Sequence, residues 1–223
     1  MRVAVGVMAK APVVGEVKTR LTPPLTAEEA TSVAGAMLRD VAGHAAATGA
    51  DVWGVHTGDG ERVACHLPPG ARLMPQRGRD LGPRLAAAQR DLHEAGYERV
   101  LLVGADCPTL DTAYLDRALE VLGHASVVLG PAADGGYTLI GSTHPVPRLF
   151  EVTMSTASVL DDTLARAWEV GVDPAVLEPR DDLDTADDLV RAWEGGWLAH
   201  APQTRDLVAN VVPARVAGVP DSA

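Results

Sequence analysis

The sequence predicts an α/β fold: a single domain with a mostly parallel sheet flanked by helices. Short, uniformly apolar runs such as residues 100–103 (VLLV) indicate strands that are buried on both faces. These runs alternate along the chain with segments of helical periodicity, the pattern of a parallel sheet covered on both sides. A length of 223 residues is sufficient for one large domain with a full core.

The first half of the chain begins with a strand and a long irregular loop. Pro12, Gly15, Pro23 and Pro24 predict that the loop contains no regular structure. A capping box of Thr26 and Glu29 then begins a helix that ends at Gly49. The predicted elements of this half are a strand at 3–7, that helix, a strand at 52–56, a short helix within 58–67, a short strand at 72–75 and a helix at 83–96.

The second half continues the alternation. Asp111 is a suitable N-cap for a helix, and Asp134, Gly135 and Gly136 indicate a turn. The predicted elements are strands at 100–103, 126–129, 137–140 and 175–177, and helices at 112–123, 158–171 and 185–197. From residue 199 the chain is rich in Pro, Ala and Val without a clear period. We therefore predict one domain over 1–198 and a tail or docking arm over 199–223.

Composition and charge favour a small-molecule ligand. Thirty acidic and 19 basic residues give a net charge of −11, whereas binding to a phosphate backbone needs clustered Lys and Arg. No apolar run reaches the ~18 residues that a membrane span requires, and the apolar start is too short for a signal peptide. Cys65 and Cys107 show no metal-binding spacing, so we expect buried or semi-buried free thiols. We therefore expect a cytoplasmic protein without nucleic-acid or membrane partners. A homodimer is one of the oligomeric states that we consider.

Three cations follow the first strand. Lys10, Lys18 and Arg20 lie in a loop whose Gly- and Pro-rich backbone leaves N–H groups free, and a polyphosphate needs both kinds of donor. The alternative is a solvated surface loop with incidental charges. The loop lacks the GxxxxGK[ST] and GxGxxG patterns, which excludes a P-loop and a dinucleotide fingerprint.

Two acids are the predicted metal ligands. Asp106 follows the strand at 100–103, where open α/β sheets bind ligands, although a turn or capping role explains it equally well. Asp184 belongs to the crowded stretch DDLDTADDL, in which helix capping accounts for some carboxylates. Carboxylates without His or Cys select Mg²⁺ or Mn²⁺.

Two further loops have both structural and functional interpretations. The stretch Asp134-Gly135-Gly136-Tyr137 is explained by a tight turn, or by a backbone that a ligand approaches closely. The stretch QRGRDLGPR, which begins at Gln76, is either an ordinary loop or a site for a base edge or a phosphate. The seven histidines form no HxxxH or HExxH pattern and receive no catalytic role.

Five blocks, in order over roughly residues 3–195, resemble a bacterial family of uncharacterised transferases labelled DUF2064: AKAPVVGEVKTRL, QRGRDLGPRL, GADCPTL, PAADGGYTLIG and DLDTADDL. The blocks are more distantly similar to the 2-phospholactate guanylyltransferase family of deazaflavin cofactor biosynthesis. The resemblance implies the glycosyltransferase-A-like fold of nucleotide-diphospho-sugar transferases.

The resemblance also implies roles for individual residues. Lys18 and Arg20 would contact nucleotide phosphates, Asp106 and Asp184 would hold the metal, and the turn Asp134 to Tyr137 would face the acceptor. The catalytic set that we predict is Lys18, Arg20, Asp106 and Asp134. The nucleotide-binding set that we predict is Ala9, Lys10, Lys18, Arg20, Gln76, Gly78, Asp80 and Asp106.

Two reactions fit these residues. In the favoured one, an oxygen of a small phosphorylated acceptor attacks the α-phosphorus of a nucleoside triphosphate, and pyrophosphate leaves. In the alternative, a nucleotide-diphospho-sugar donates its sugar to an acceptor hydroxyl, with Asp134 as the base. A nucleotide-binding module without turnover is the third hypothesis.

Overall fold

The computed structural model describes residues 1–216 and confirms the α/β fold, with a single mostly parallel sheet flanked by helices. The seven strands are β1 (Val3–Lys10), β2 (Asp51–Thr57), β3 (Arg72–Pro75), β4 (Arg99–Gly104), β5 (Val127–Pro131), β6 (Tyr137–Ser142) and β7 (Ala175–Val176). The seven α-helices are α1 (Ala27–Ala47), α2 (Gly60–Ala64), α3 (Leu81–Glu94), α4 (Thr112–Val121), α5 (Val159–Glu169), α6 (Ala186–Glu194) and α7 (Pro202–Val216).

The sheet has the strand order β3-β2-β1-β4-β6-β5-β7. β6 runs antiparallel to both of its neighbours, whereas the other paired strands are parallel. The short turn between β5 and β6 permits only an antiparallel pair, because parallel strands need a long crossover. The central strands β1 and β4 therefore end at the same edge of the sheet, where the chain places its charged groups.

The core lies on both faces of the central strands. Val5 and Leu101 pack with α1 and α4 on one face, and Ala4 and Leu102 pack with α3 on the other. Successive strand residues point to opposite faces, so a continuous apolar run fills two cores. This burial explains why the strands read as unbroken apolar stretches.

The predicted helix caps are confirmed. Thr26 and Glu29 form a capping box at α1, and the side chain of Asp111 accepts a hydrogen bond from the backbone N–H of Tyr114 at the start of α4. Thr185 caps α6, which leaves the carboxylate of Asp184 available for other contacts. The loop after β1 differs from the prediction, because Thr19–Leu21 form one 3₁₀ turn.

The segment after residue 199 also differs from the expected secondary structure. Helix α7 packs on α1 and α6, and Asp40 of α1 accepts hydrogen bonds from the backbone N–H groups of Gln203 and Thr204 at 3.1 and 2.7 Å. Val208 joins a third apolar cluster, and Thr204 is buried as well. Residues 217–223 of the expected tail lie outside the described part, and the domain division at 198 stays a prediction.

Both cysteines are free thiols, as predicted; Cys107 is buried as expected, whereas Cys65 is exposed and so corrects the expectation of burial. Burial raises the pKa of Cys107 to about 12, so its sulfur is a neutral thiol at physiological pH. Within residues 1–216, no helix combines the length and the apolar character that a membrane crossing requires.

Candidate functional site

The candidate site lies at the carboxyl ends of β1 and β4. β4 ends at Gly104, and Asp106 follows two residues later. The loop after β1 returns over this edge and brings Lys18 to it from 88 residues away in sequence. This is the edge at which open α/β sheets bind ligands.

Three carboxylates converge at this edge. Asp106, Asp182 and Asp184 each offer an oxygen, and these oxygens lie within 4.8 Å of one another. They are the one group of three potential metal ligands within residues 1–216. Because all the donors are carboxylate oxygens, the group suits a hard divalent cation such as Mg²⁺ or Mn²⁺.

Hydrogen bonds join the two segments that carry these acids. The backbone N–H of Leu183 donates to the carbonyl of Asp106 at 3.0 Å, and the hydroxyl of Thr109 donates to the carbonyl of Asp181 at 3.0 Å. The thiol of Cys107 also donates to the Asp181 carbonyl. Carboxylates distant in sequence are thus held next to each other by backbone contacts rather than by their own charges.

Asp182 is a site residue that the sequence analysis missed. In the segment 181–184, Leu183 is fully buried, and the Asp181 side chain accepts a hydrogen bond from the backbone N–H of Ala133 at 2.8 Å. The alternate residues, Asp182 and Asp184, face the candidate site together. An alternation of period two around Leu183 is the signal that would have found Asp182.

Burial and the crowding of carboxylates raise the pKa of Asp182. Burial, together with the negative charges of Asp106 and Asp184, raises the pKa of Asp182 to about 7, although Lys18 partly opposes this rise. A carboxyl group in this position is stabilised by added positive charge. The residues present therefore fit a divalent cation on chemical grounds.

Lys18 supplies positive charge from within the protein. Its Nζ lies 3.3 Å from Asp106 Oδ2 and 2.5 Å from Asp184 Oδ1, and its side chain is only 10% exposed. Burial lowers the pKa of Lys18, but the charges of Asp106 and Asp184 and their hydrogen bonds outweigh burial, so the pKa is raised. The group is therefore a charged ammonium. Lys18 also has a left-handed backbone, with φ +48°, at the start of the 3₁₀ turn.

Arg20 and Lys10 occupy the same cleft with looser contacts. Arg20 Nη1 lies 3.7 Å from Asp184 Oδ2, and its side chain is 75% exposed. Lys10 Nζ donates to the backbone carbonyl of Glu16 at 2.7 Å, which ties the loop to the end of β1. These three cations line one cavity of about 280 Å³ together with Asp106 and Asp184.

A larger cavity of about 550 Å³ adjoins the first at Arg20, Asp106 and Asp184, which line both. Asp134, Gly136 and Tyr137 of the predicted acceptor turn line it, as do Arg20 and Asp106. Asp182 and Asp184 line it too, and its other side chains are mainly apolar or hydroxyl-bearing: Met8, Leu81, Leu85, Leu102, Val103, Thr138, Leu139, Ile140, Met154, Ser155, Thr156 and Val159. The turn and the predicted phosphate loop therefore line two cavities that share Asp106 and Asp184.

Gly135 has a packing function within that turn. Its φ is +87°, and a Cβ atom there would lie 2.0 Å from the carbonyl oxygen of Ala157. Its carbonyl accepts a hydrogen bond from the backbone N–H of Leu160 at the start of α5. Gly135 thus holds the turn against the segment 155–157 and so builds the cavity wall.

Four predicted nucleotide-binding residues do not line either of these cavities: Ala9, Gln76, Gly78 and Asp80. Ala9 is buried in β1, and its carbonyl accepts a hydrogen bond from Gln76 Nε2 at 3.4 Å. The same amide donates to the Val55 carbonyl at 2.9 Å, so Gln76 spans the ends of β1 and β2. Gly78 and Asp80 are exposed in the loop before α3. Nucleotide binding by these four residues stays a prediction.

The family model described as "Uncharacterized protein conserved in bacteria (DUF2064)" matches residues 40–156, more than half of the chain. The chain belongs to the DUF2064 family. The matched region of the family model contains Asp106 and the turn at 134–137, whereas Lys18, Asp182 and Asp184 lie outside it.

Relatives of this DUF2064 member carry transferase names. It is 30% identical over 204 residues to 2-phospho-L-lactate guanylyltransferase of Methanothermobacter thermautotrophicus, which covers 89% of the chain and 88% of that relative. A solved structure assigned as a nucleotide-diphospho-sugar transferase from Desulfovibrio desulfuricans G20 is 27% identical, with a TM-score of 0.84 over 95% of this chain and 99% of that one.

More distant structures share the fold. 4-Diphosphocytidyl-2C-methyl-D-erythritol synthase from Anaerococcus prevotii is 12% identical, with a TM-score of 0.56 over 86% of this chain and 96% of that one. At this identity the match is evidence for the fold alone. The DUF2064 member thus has the fold of nucleotidyltransferases and nucleotide-sugar transferases, as predicted.

Proposed function

We propose that this protein is a metal-dependent nucleotidyltransferase that joins a nucleoside monophosphate to a small phosphorylated acceptor and releases pyrophosphate. The observation that carries the proposal is the convergence of Asp106, Asp182 and Asp184 where two cavities meet, with the ammonium of Lys18 in contact with Asp106 and Asp184. Paired anionic and cationic groups in one cleft suit a reaction between phosphate groups. The curated relative named as a guanylyltransferase supports the same reaction class.

The two cavities suggest where the substrates bind. Lys10, Lys18 and Arg20 line the smaller cavity, where they would hold the triphosphate. The larger cavity would hold the acceptor, with Arg20 at the border between the two. This division places the α-phosphorus near Asp106 and Asp184, which line both cavities.

Asp106, Asp182 and Asp184 would hold the divalent ion, which we propose is Mg²⁺ or Mn²⁺. When bound, the ion would supply positive charge to the phosphate oxygens and help to neutralise them. Asp182 thereby joins the two ligands that the sequence predicts.

Positioning and charge would supply the catalysis. An acceptor phosphate oxygen, which is already ionised, attacks the α-phosphorus; the new P–O bond forms as the bond to the β-phosphate oxygen breaks. Lys18 and Arg20 would orient the phosphates and stabilise the leaving pyrophosphate. An ionised acceptor needs no general base, and the buried thiol of Cys107 is unsuited to act as a nucleophile because its pKa is raised to about 12.

Sugar transfer is the second candidate function. Asp134 lines the larger cavity, and its Oδ1 accepts a hydrogen bond from the backbone N–H of Gly136 at 2.8 Å. A carboxylate fixed in this way could act as the base for an acceptor hydroxyl. The structure from Desulfovibrio desulfuricans, assigned as a nucleotide-diphospho-sugar transferase, favours this alternative.

A pyrophosphate assay separates the two functions. The protein is incubated with Mg²⁺, each nucleoside triphosphate and a panel of phosphorylated hydroxy acids that includes 2-phospho-L-lactate, the substrate in the name of the curated relative. Pyrophosphate release that requires both substrates is the expected result. Turnover with nucleotide sugars alone, and none with triphosphates, would contradict nucleotidyl transfer.

Two further properties belong to this proposal. We propose a cytoplasmic location, where nucleoside triphosphates are available, and a homodimer. The acidic net charge of −11 agrees with small-molecule rather than nucleic-acid substrates. Light scattering of the purified protein at several concentrations tests the dimer, and a monomer mass at all of them would exclude it.

A further inference from the structure

The contacts of Lys18 have a consequence for how the site takes up its metal. The Lys18 ammonium bridges Asp106 Oδ2 and Asp184 Oδ1, and both acids belong to the group that would hold a divalent ion. The position that a cation would take between these two carboxylates is thus already filled by a charge of the protein itself.

Two cations do not share these oxygens at bonding distance. Like charges repel strongly in a partly buried cleft, and the Lys18 side chain is only 10% exposed. A free divalent ion that binds between these two carboxylates therefore competes with the ammonium for its two partners. Displacement without a new anionic partner would leave the ammonium desolvated and unpaired, which is unfavourable.

The phosphates of a nucleotide provide such a partner. Lys18 lines the same cavity as Lys10 and Arg20, where the proposed function places the triphosphate. If the ammonium turns from the carboxylates to the phosphates, the carboxylates become free for the metal. Each cation then keeps an anionic partner throughout the exchange.

We propose that Lys18 is a resident counter-ion, so that the site binds the divalent metal–nucleotide chelate and binds the free metal poorly. The proposal rests on the proposed function, because it assumes that metal and nucleotide meet at Asp106 and Asp184. Lys18 makes the two ligands bind with positive coupling, and by linkage each raises the affinity for the other.

Arg20 provides the matched control. It is also a cation of the cleft, but it contacts Asp184 at 3.7 Å and is 75% exposed, so it does not fill the position between the acids. Removing Arg20 weakens nucleotide binding without freeing the carboxylates. Removing Lys18 does both.

The test measures Mn²⁺ binding by calorimetry and electron paramagnetic resonance, with Mn²⁺ alone and with each α,β-methylene nucleoside triphosphate in turn. In the wild type we expect weak binding of Mn²⁺ alone and at least about tenfold tighter binding with a nucleotide. Lys18→Met and Lys18→Gln should each bind Mn²⁺ alone about tenfold more tightly than the wild type, so that the gain in Mn²⁺ affinity from a nucleotide falls by about the same factor. Arg20→Met should bind Mn²⁺ alone like the wild type.

Two results would overturn the inference. The first leaves the proposed metal site standing, and the second excludes that site as well. If Asp106→Asn abolishes Mn²⁺ binding but both Lys18 variants bind Mn²⁺ alone no more tightly than the wild type, the counter-ion role fails and the metal site stands. If neither the wild type nor any variant binds Mn²⁺, with or without a nucleotide, the proposed metal site fails as well. Circular dichroism establishes that each variant is folded.

Discussion

The two cavities that meet at the acids differ in their charge. The smaller one has three cations among its lining residues, Lys10, Lys18 and Arg20, against the carboxylates of Glu16, Asp106 and Asp184. Arg20 is the one cation that lines the larger cavity, against the carboxylates of Asp106, Asp134, Asp182 and Asp184. The charges of the smaller cavity therefore balance, three against three, whereas the larger cavity has an excess of three carboxylates beside its apolar residues.

This difference suggests how one site handles two anionic substrates. The smaller cavity is the better place for a polyphosphate, because its three cations can donate to phosphate oxygens and a bound divalent ion would add positive charge. The larger cavity offers an anion little positive charge away from Arg20, so the phosphate of an acceptor would lie at the border, beside Arg20 and the metal. The rest of the acceptor would lie against apolar side chains such as Leu85 and Met154.

Replacing an acid that lines both cavities should have the largest effect on activity. Asp106→Asn removes a carboxylate of the proposed metal site at the point where the cavities meet and should lower kcat/KM by about 10³-fold or more. Steady-state kinetics with either substrate varied measures the loss. Asp161→Asn, on the exposed first turn of α5, is the matched control. Activity of the Asp106 variant within tenfold of the wild type would exclude its role.

Arg20→Met should have the next largest effect, because Arg20 lines both cavities. Loss of one charge-assisted contact to phosphate should lower kcat/KM by about 10- to 100-fold. We expect KM to rise for the nucleotide and for the acceptor. The surface variant Arg62→Met serves as the control, since Arg62 pairs with Asp59 outside the cleft. A change confined to one substrate would assign Arg20 to one cavity.

Asp134→Asn changes the lining of the larger cavity alone, and it therefore tests the function of that cavity separately. In nucleotidyl transfer the residue has no proton to take, so kcat should fall by less than about tenfold, with the nucleotide KM unchanged. Asparagine can still accept the hydrogen bond from Gly136. A fall in kcat of a hundredfold or more would instead assign Asp134 as a general base and favour sugar transfer.

Gly135→Ala should have the smallest effect on activity and a measurable effect on stability. The left-handed backbone and the contact with the Ala157 carbonyl should reduce the free energy of unfolding by about 2 kcal/mol. The acceptor KM should rise a few-fold. Gly136→Ala is the control, because its Cβ would meet the movable Asp134 carboxylate at 3.1 Å. Urea denaturation that ranks Gly136→Ala as equally destabilised would contradict the packing role.

Much of the fold could be predicted from local patterns. The capping residues Thr26 and Asp111 and the uninterrupted apolar strands are short-range signals, and the structure confirms them. Helix α7 could not be found in this way. Thr204 is buried although it is polar, and a threonine on the packed face weakens the apolar repeat of a helix.

Part of the candidate site could also be predicted from local sequence patterns. Asp106 could be singled out because it follows a buried strand, and Lys18 because it lies in a loop after one. Their direct contact depends on the path of the loop, which no local pattern specifies. Asp182 was missed because the sequence shows a run of acids, whereas the structure separates them by alternation around Leu183.

The span between Lys18 and Asp184 also bears on biosynthesis. These two residues are 166 positions apart, and the backbone hydrogen bond from Leu183 to Asp106 secures the later segment. A nascent chain on the ribosome therefore carries the cationic loop long before it has made the acids that complete the cleft. Until the chain has grown past residue 184, the emerging polypeptide lacks Asp184 and cannot form the proposed site for a metal–nucleotide chelate.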